Sequence, residues 1–389
     1  MVSRTRRVAL VHDWLTGMRG GERCLEVLCK LYPDAPLFTL VHVPHSVSAD
    51  IEQRRIVTSL VQRLPWAVER LPWANKRGYP YYLPIFPLAI SRFDLSGYDL
   101  VVSMSHCVAK AIPVAPGALH LCYCFSPMRY VWDDMYNDYF GRGRGLALRL
   151  AGPLLKAVLR PWDRRTEGVH DFVAISHHIA GRIRRVYDRL AEVIYPPVDI
   201  SRFEIAEKTE DYYLVVSALI PYKRIDLAVR AATRLGRRLV VVGTGPEEAR
   251  LRSLAGPTVT FRGWCSDEEV AVLYSRCRAF VFPPVEDFGI APLEAAAAGR
   301  PTIALGRGGA LETMVGLDDR DRPPTAIFFD EQSVDALATA ILRFERAQDR
   351  FDPKALRERA KEFDLPIFKQ RLHDWIERRW SDHQTSRAC

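Results

Sequence analysis

The sequence predicts an α/β protein built from two doubly wound, Rossmann-like domains facing each other across a cleft. Three observations predict it. Short runs rich in Val, Ile and Leu alternate with longer amphipathic stretches, the pattern of parallel strands buried on both faces and joined by crossover helices. The alternation restarts after "YPPVD" (195–199), a rigid, turn-prone stretch, and each half opens with a strand, a Gly- or Pro-bearing turn and a helix. A length of 389 residues suits two domains better than one.

Taken in order, the first half is expected to place strands at "RVALVHD" (7–13), "YDLVVS" (98–103), "LHLCYC" (119–124) and "DFVAIS" (171–176). The second half repeats this with "YYLVVS" (212–217), "RLVVVG" (238–243), "VTFRG" (259–263), "AFVFP" (279–283), "PTIAL" (301–305) and "AIFF" (326–329). Helical periodicity falls at 224–235, 246–254, 266–275 and 331–346, and the closing "LPIFKQRLHDWIERRW" is strongly amphipathic. The expected division is 1–195, 196–363, and a last segment, 364–389, packing back on the first domain.

Hydrophobic content of 48% and charged content of 26% are those of a soluble globular chain with material for full cores. The eight cysteines form no CxxC pair, which argues against a zinc module, and most lie in apolar runs as small buried hydrophobes. Reduced thiols fit a cytosolic compartment. The apolar run near the N-terminus is too short for a signal peptide, and no segment reaches the ~18–20 apolar residues of a membrane span. A soluble or peripheral protein is expected.

A net charge of +8 attracts nucleic acid, anionic lipid or phosphorylated ligands without choosing among them. Its distribution is more informative. Residues 141–165 carry seven basic side chains and one acid among leucines, and 62–92 mixes Trp, Tyr, Phe and Pro with Arg and Lys. If 141–165 is helical, Arg149, Lys156 and Arg160 share a face opposite the leucines, with Pro153 kinking it. One reading is a surface loop and an ordinary amphipathic helix; the other is a patch for an anionic membrane surface. Nucleic-acid binding is disfavoured, because the basic residues lie beside aliphatic runs and no known binding module occurs.

In open α/β sheets the chemistry collects in strand-to-helix loops. After the first strand, Gly17, Gly20 and Gly21 precede a helix whose first turn holds Glu22, so free N–H groups meet any anion there; the alternative is a tight turn needing φ > 0. The G-x-x-G-G spacing is not GxGxxG and disfavours a nicotinamide dinucleotide. "SALIPYKRID" sets Lys223 and Arg224 after the strand opening the second half, either as a clamp for a diphosphate or as a solvated pair. Gly243 and Gly245 form another close-approach turn, with Pro246 at the start of the next helix. His106 stands just past a strand with no acidic neighbour in the sequence to pair it.

"VEDFGIAPLEAAAAGRP" (285–301) holds two glutamates whose spacing on one continuous helix would separate them by ~12 Å. A loop followed by a helix resolves this. Glu286 falls in the loop after "AFVFPP", Phe288-Gly289-Ile290 turn the chain, Pro292 takes the first helical position, and Gly299 closes the helix. Glu294 then lies near the third helical position, where a capping carboxylate is also expected. A carboxylate for sugar hydroxyls, amides for phosphate and a carboxylate for ribose would together describe a nucleotide-sugar site.

With these motifs in this order, the chain resembles the retaining nucleotide-sugar glycosyltransferases of family 4, which have the GT-B fold. The resemblance covers nearly the whole chain and rests on the GG-E loop (20–22), His106, "PYK" ending at Lys223, "GTGPEE" (243–248), the two glutamates, and "GGALE" (308–312). It implies an acceptor-side first domain and a donor-binding second one. Gly20 and Gly21 would approach the donor diphosphate, and His106 would hydrogen-bond a donor-sugar hydroxyl. Lys223 would stabilise the leaving nucleotide, Glu286 would contact the donor sugar, and Glu294 the ribose. Amides of Phe288, Gly289 and Ile290 would touch sugar and phosphate, Gly243 and Gly245 would flank the donor, and Arg129 and Tyr130 would lie on the acceptor side. The resemblance implies no metal and no cofactor beyond the donor.

Two positions depart from the family. Ala218 stands where an arginine often precedes the lysine by five residues, leaving Arg224 as the substitute charge, and Phe125 replaces a histidine in "CYCFSPMRY". The "VHDWLTGMRGGE…PMRYVWD" character resembles bacterial exopolysaccharide and O-antigen transferases, often mannosyl, that act on lipid-linked or polysaccharide acceptors. The resemblance thus implies a peripheral enzyme at the inner face of the cell membrane. The rival readings are a UDP-sugar-dependent transferase and a catalytically weak nucleotide-binding scaffold of the same fold.

Overall fold

A computed structural model describes residues 6–65, 67–69, 78–133 and 146–388. The chain divides into two compact units, Met1–Tyr195 with Lys369–Cys389, and Pro196–Phe368.

The first unit is a parallel sheet of seven strands: β1 (Val8–His12), β2 (Leu37–Thr39), β3 (Ile56–Thr58), β4 (Leu100–Ser105), β5 (Leu119–Cys124), β6 (Asp171–Ala174) and β7 (Ala191–Val193). Their spatial order is β3-β2-β1-β4-β5-β6-β7. β4 and β5 are buried at every position, including Ser103 and His120, whose side chains hydrogen-bond each other at 2.9 Å. Three short strands, β2, β3 and β7, were not expected. Each has only three residues, too few for a periodicity to show, and β3 and β7 lie at the sheet edges.

Under one face lies a cluster joining Trp14, the segment from Tyr79 to Leu95, Met128, Tyr130, Val131 and Leu159. It brings the aromatic stretch and the basic helix of the sequence onto one core. That helix, Leu146–Asp163, runs through Pro153 without interruption. Its outward face differs from the expected one: Leu154 and Val158 are 70% and 61% exposed, while Lys156 is half-buried. The side chain of Arg149, the start of the basic segment (141–145) and residues 66 and 70–77 of the aromatic stretch lie outside the described residues. Asp163, the segment's one acid, is fully buried; its Oδ1 stands 2.9 Å from Lys110 Nζ, and Oδ2 accepts from Trp132 Nε1 and Tyr187 OH.

The helix Leu365–Ala388 enters the first unit from Lys369 on. Leu372, Trp375 and Ile376 are buried, Glu377 pairs with Arg6 at 2.5 Å, and Arg378 and Arg379 reach Glu192 at 2.7 and 2.6 Å. Six of the cysteines are buried free thiols. No helix among the described residues is long and apolar enough to cross a membrane.

The second unit is a parallel sheet of six strands: β8 (Tyr213–Val216), β9 (Leu239–Val242), β10 (Val259–Gly263), β11 (Ala279–Phe282), β12 (Thr302–Leu305) and β13 (Ala326–Phe329). They lie in the order β10-β9-β8-β11-β12-β13. Helices Ile225–Leu235, Asp267–Arg276, Ile290–Ala297 and Val334–Ala347 fall close to their sequence positions. Ser266 and Glu269 form a capping box at the start of the second of these. Pro246 does not open its helix, which runs Glu248–Leu254 behind an N-cap at Glu247.

Candidate functional site

Strand order reverses once in each sheet, between β1 and β4 and between β8 and β11. Loops leaving adjacent strands at such a point diverge to opposite faces and open a crevice at the carboxyl ends. Both crevices hold paired polar groups.

In the first unit, β1 delivers His12 and Asp13, and β4 delivers His106. Asp13 is fully buried, and its carboxylate accepts from four successive backbone amides: His106 and Cys107 on Oδ2 at 2.7 and 2.9 Å, Val108 and Ala109 on Oδ1 at 2.7 and 2.7 Å. Oδ2 also stands 3.1 Å from Nδ1 of His106. The expectation that His106 has no acidic partner is therefore overturned; the partner lies 93 residues upstream, brought alongside by the β1–β4 pairing. Trp14 meets the His106 ring edge to face at 4.4 Å, and Phe125 stands 6.3 Å away. Burial pushes the imidazole down to about 4, against the opposing pull of Asp13.

Gly20 and Gly21 open the helix Gly20–Leu31 rather than precede it, behind an N-cap at Arg19. Positive φ falls on Gly17, not on these two, so the tight-turn reading fails for them. A Cβ at Gly21 would meet the Phe125 ring at 3.4 Å and His12 at 3.6 Å, so this glycine keeps the helix start close to both rings. Glu22 is buried and accepts from Arg19 N at 3.1 Å. Burial works against its charge, but the His12 ring 3.8 Å away and Arg19 hold the carboxyl below its ordinary range. Arg129 and Tyr130 begin the short helix Arg129–Trp132, and Tyr130 is buried in the Trp14 cluster. Tyr130 thus packs beneath the β1–β4 crevice, beside Trp14.

In the second unit, Lys223 follows β8 and Glu286 follows β11. Their side chains meet at 2.5 Å between Nζ and Oε1, and are 19% and 15% exposed. Arg224 adopts the left-handed conformation (φ 52, ψ 36), and its Nε lies 3.3 Å from Asp226 Oδ1. Its guanidinium thus pairs within its own turn. Gly243 and Gly245 owe their identity to packing: a Cβ would meet Ser217 O at 1.9 Å and Leu219 O at 2.3 Å.

Gly289 (φ 89) is the N-cap of Ile290–Ala297, a helix that starts two residues before Pro292. Pro292 is therefore the third helical residue and Glu294 the fifth, beyond the reach of a capping carboxylate. Glu294 instead accepts from the buried Tyr274 OH at 3.3 Å. Phe288 is buried, and Gly308 and Gly309 press against this loop: a Cβ at Gly309 would stand 2.3 Å from Phe288 Cα. Gly309 N donates to Glu286 O at 2.8 Å, which fixes the backbone under the catalytic candidate. Sequence reasoning missed Asp13 and the pairing of Lys223 with Glu286. The one available signal was position, since all three residues, like His106, follow strands that flank a reversal.

A family model, "Glycosyl transferases group 1", matches residues 198–363. The GDP-mannose-dependent alpha-(1-6)-phosphatidylinositol monomannoside mannosyltransferase of Mycobacterium tuberculosis is 31% identical over 272 residues, covering 56% of this chain and 68% of that protein. The chain belongs to the group 1 glycosyl transferases. The O-antigen chain mannosyltransferase C of Escherichia coli is 37% identical over 102 residues, 24% of this chain and 28% of its own. Among solved structures, the sucrose-phosphate synthase of Thermosynechococcus elongatus superposes with a TM-score of 0.65 at 17% identity, covering 97% of this chain and 100% of that one. The two Rossmann-like units are those of the GT-B fold class, and this group 1 transferase is a glycosyltransferase.

Proposed function

We propose that the protein is a retaining, metal-independent hexosyltransferase that moves mannose from GDP-mannose to a lipid-linked or polysaccharide acceptor. The observation that carries the reading is the Lys223–Glu286 pair at the β8/β11 reversal, beside the N-terminus of Ile290–Ala297. A cation for a departing diphosphate and a carboxylate for sugar hydroxyls stand together there, next to free helix amides. Support for the donor and acceptor comes from the relatives, whose names specify GDP-mannose, a phosphatidylinositol mannoside and O-antigen. In the reaction the bond from sugar C1 to the diphosphate oxygen breaks, and Lys223 stabilises the leaving GDP. The acceptor hydroxyl adds to C1 on the same face, and its proton passes to the leaving phosphate oxygen.

An anionic membrane surface at the inner face of the cell membrane is part of this reading. Exposed Leu154 and Val158 are followed by exposed Arg160, Arg164 and Arg165, and the segment's acid is sealed inside. Pelleting with anionic liposomes at low salt tests this part, and recovery of all protein in the supernatant refutes it.

The decisive assay offers GDP-, UDP- and ADP-sugars with a polyprenyl-linked acceptor, with and without a chelator, and reads the product anomer by NMR. Turnover of GDP-mannose to an α-mannoside, unchanged by chelation, is expected. A preference for UDP-sugars or a β-product refutes the donor or the stereochemistry. Ala218 and the diversion of Arg224 to Asp226 favour the scaffold as second reading, and absence of transfer across the panel would select it.

A further inference from the structure

The "HDW" stretch belongs to the run that carries the resemblance, which gives Asp13 no task. Its carboxylate has no exposure; its two oxygens accept from four amides, and Oδ2 also lies 3.1 Å from an imidazole nitrogen. An ionised carboxylate only accepts, so the group facing Oδ2 must donate. The facing group is Nδ1 of His106 at 3.1 Å. In a neutral imidazole one nitrogen carries the proton and the other a lone pair, and the partner of one nitrogen decides the state of the other. The ring also has little rotational freedom. Trp14 stands across it at 88°, and its own backbone N–H is held by the same carboxylate that lies 3.1 Å from Nδ1. His106 keeps 28% of its side chain exposed, so one side of the ring is open.

We propose that Asp13 is a positioning residue for the transfer reaction, fixing His106 as the Nδ1–H tautomer so that Nε2 faces the ligand as a hydrogen-bond acceptor. The sugar hydroxyl that meets His106 must then donate its proton to the ring, not receive one from it. This rests on His106 facing the donor sugar. It adds a direction to that contact and a second residue that sets it. The same carboxylate shapes the start of the 3-10 turn Ala109–Ala111 by accepting from Val108 and Ala109, so ring and backbone are placed by one group.

The test combines imidazole nitrogen NMR on the full chain with kinetics of Asp13→Asn, His106→Gln and the double variant. The unaltered protein is expected to show His106 protonated on Nδ1 and bare on Nε2; the opposite tautomer overturns the proposal without any activity measurement. Asn keeps the shape but replaces one oxygen with an NH2 group that faces two of the backbone N–H donors, and where that group faces the ring it favours the wrong tautomer. Asp13→Asn is expected to lower kcat by ~10²-fold with donor KM changed by less than about threefold, as for a misplaced group at a reacting centre. In the His106→Gln background the same substitution should cost less than about threefold. An equal loss in both backgrounds would make Asp13 merely structural and overturn the proposal. Normal turnover in His106→Gln overturns the sugar-facing reading and the proposal together. A defect there beside normal turnover in Asp13→Asn overturns the proposal alone.

Discussion

Each sheet places a carboxylate and a base across its strand reversal, yet the two pairs are built differently. At β1/β4 the carboxylate is sealed, and four backbone amides share it with His106. At β8/β11 one ion pair joins Lys223 to Glu286, and both remain partly reachable by solvent. The first carboxylate belongs to the fold and cannot be exchanged without stranding buried donors. On the proposed reading an incoming diphosphate would replace Glu286 on Lys223. One sheet then carries fixed polarity and the other exchangeable polarity.

The largest test removes the shared carboxylate. Asp13→Ala is expected to cost about 4 kcal/mol or more of stability in denaturant titration, because four backbone N–H groups lose the carboxylate that accepts from them. Glu286→Ala should stay within about 1 kcal/mol, as for a partly exposed pair. Equal losses would erase the distinction. Next come the exchangeable groups: Lys223→Ala and Glu286→Ala should each lower kcat by ~10²-fold or more with unfolding midpoints nearly unchanged. Near-normal turnover in either removes that residue from the site.

Acid should also separate the two units. Burial holds both His106 and His120 down to about 4, against 6.5 for an unperturbed ring. Between these values the unfolded chain binds more protons than the native one, so stability falls as pH falls through that window and is complete above it. Residues 196–368 contain no histidine. Hydrogen exchange at pH 5 should therefore loosen β4 and β5 before β8 and β11, and the reverse order would contradict the assignment. The smallest effect is at Arg224, whose left-handed backbone costs about 1 kcal/mol. Arg224→Gly should raise the unfolding midpoint slightly. A gain in stability with a loss of turnover would mark the strain as serving the Lys223 turn.

Much of the architecture was legible because most strands are largely apolar runs between turn-forming residues. The three-residue strands β2, β3 and β7 were not, since three residues carry no period and draw on their neighbours for pairing. The helix after Glu286 was placed two residues late because Pro292 matched the first-turn preference, whereas Gly289 in the left-handed region had already begun it. Glycines 243 and 245 were recognised as close-approach positions, but the close approach is to Ser217 and Leu219. Lys223 and Glu286 could be chosen singly from their loops. Asp13 could not, because its meaning arises only when β4 is laid beside β1, and local reading does not contain that pairing.

The helix that ends in the first unit has a consequence for how this chain is made. Arg6 and Glu377 are 371 positions apart, and Glu192 waits for Arg378 and Arg379. During synthesis the six-stranded unit can close as soon as its own strands emerge, whereas the seven-stranded unit, though begun first, must hold an unfinished surface until the last helix arrives. The part made first is completed last. For that interval the residues later covered by Trp375 and Ile376 are open to chaperones, and shortening the chain at its far end would injure the unit at its beginning.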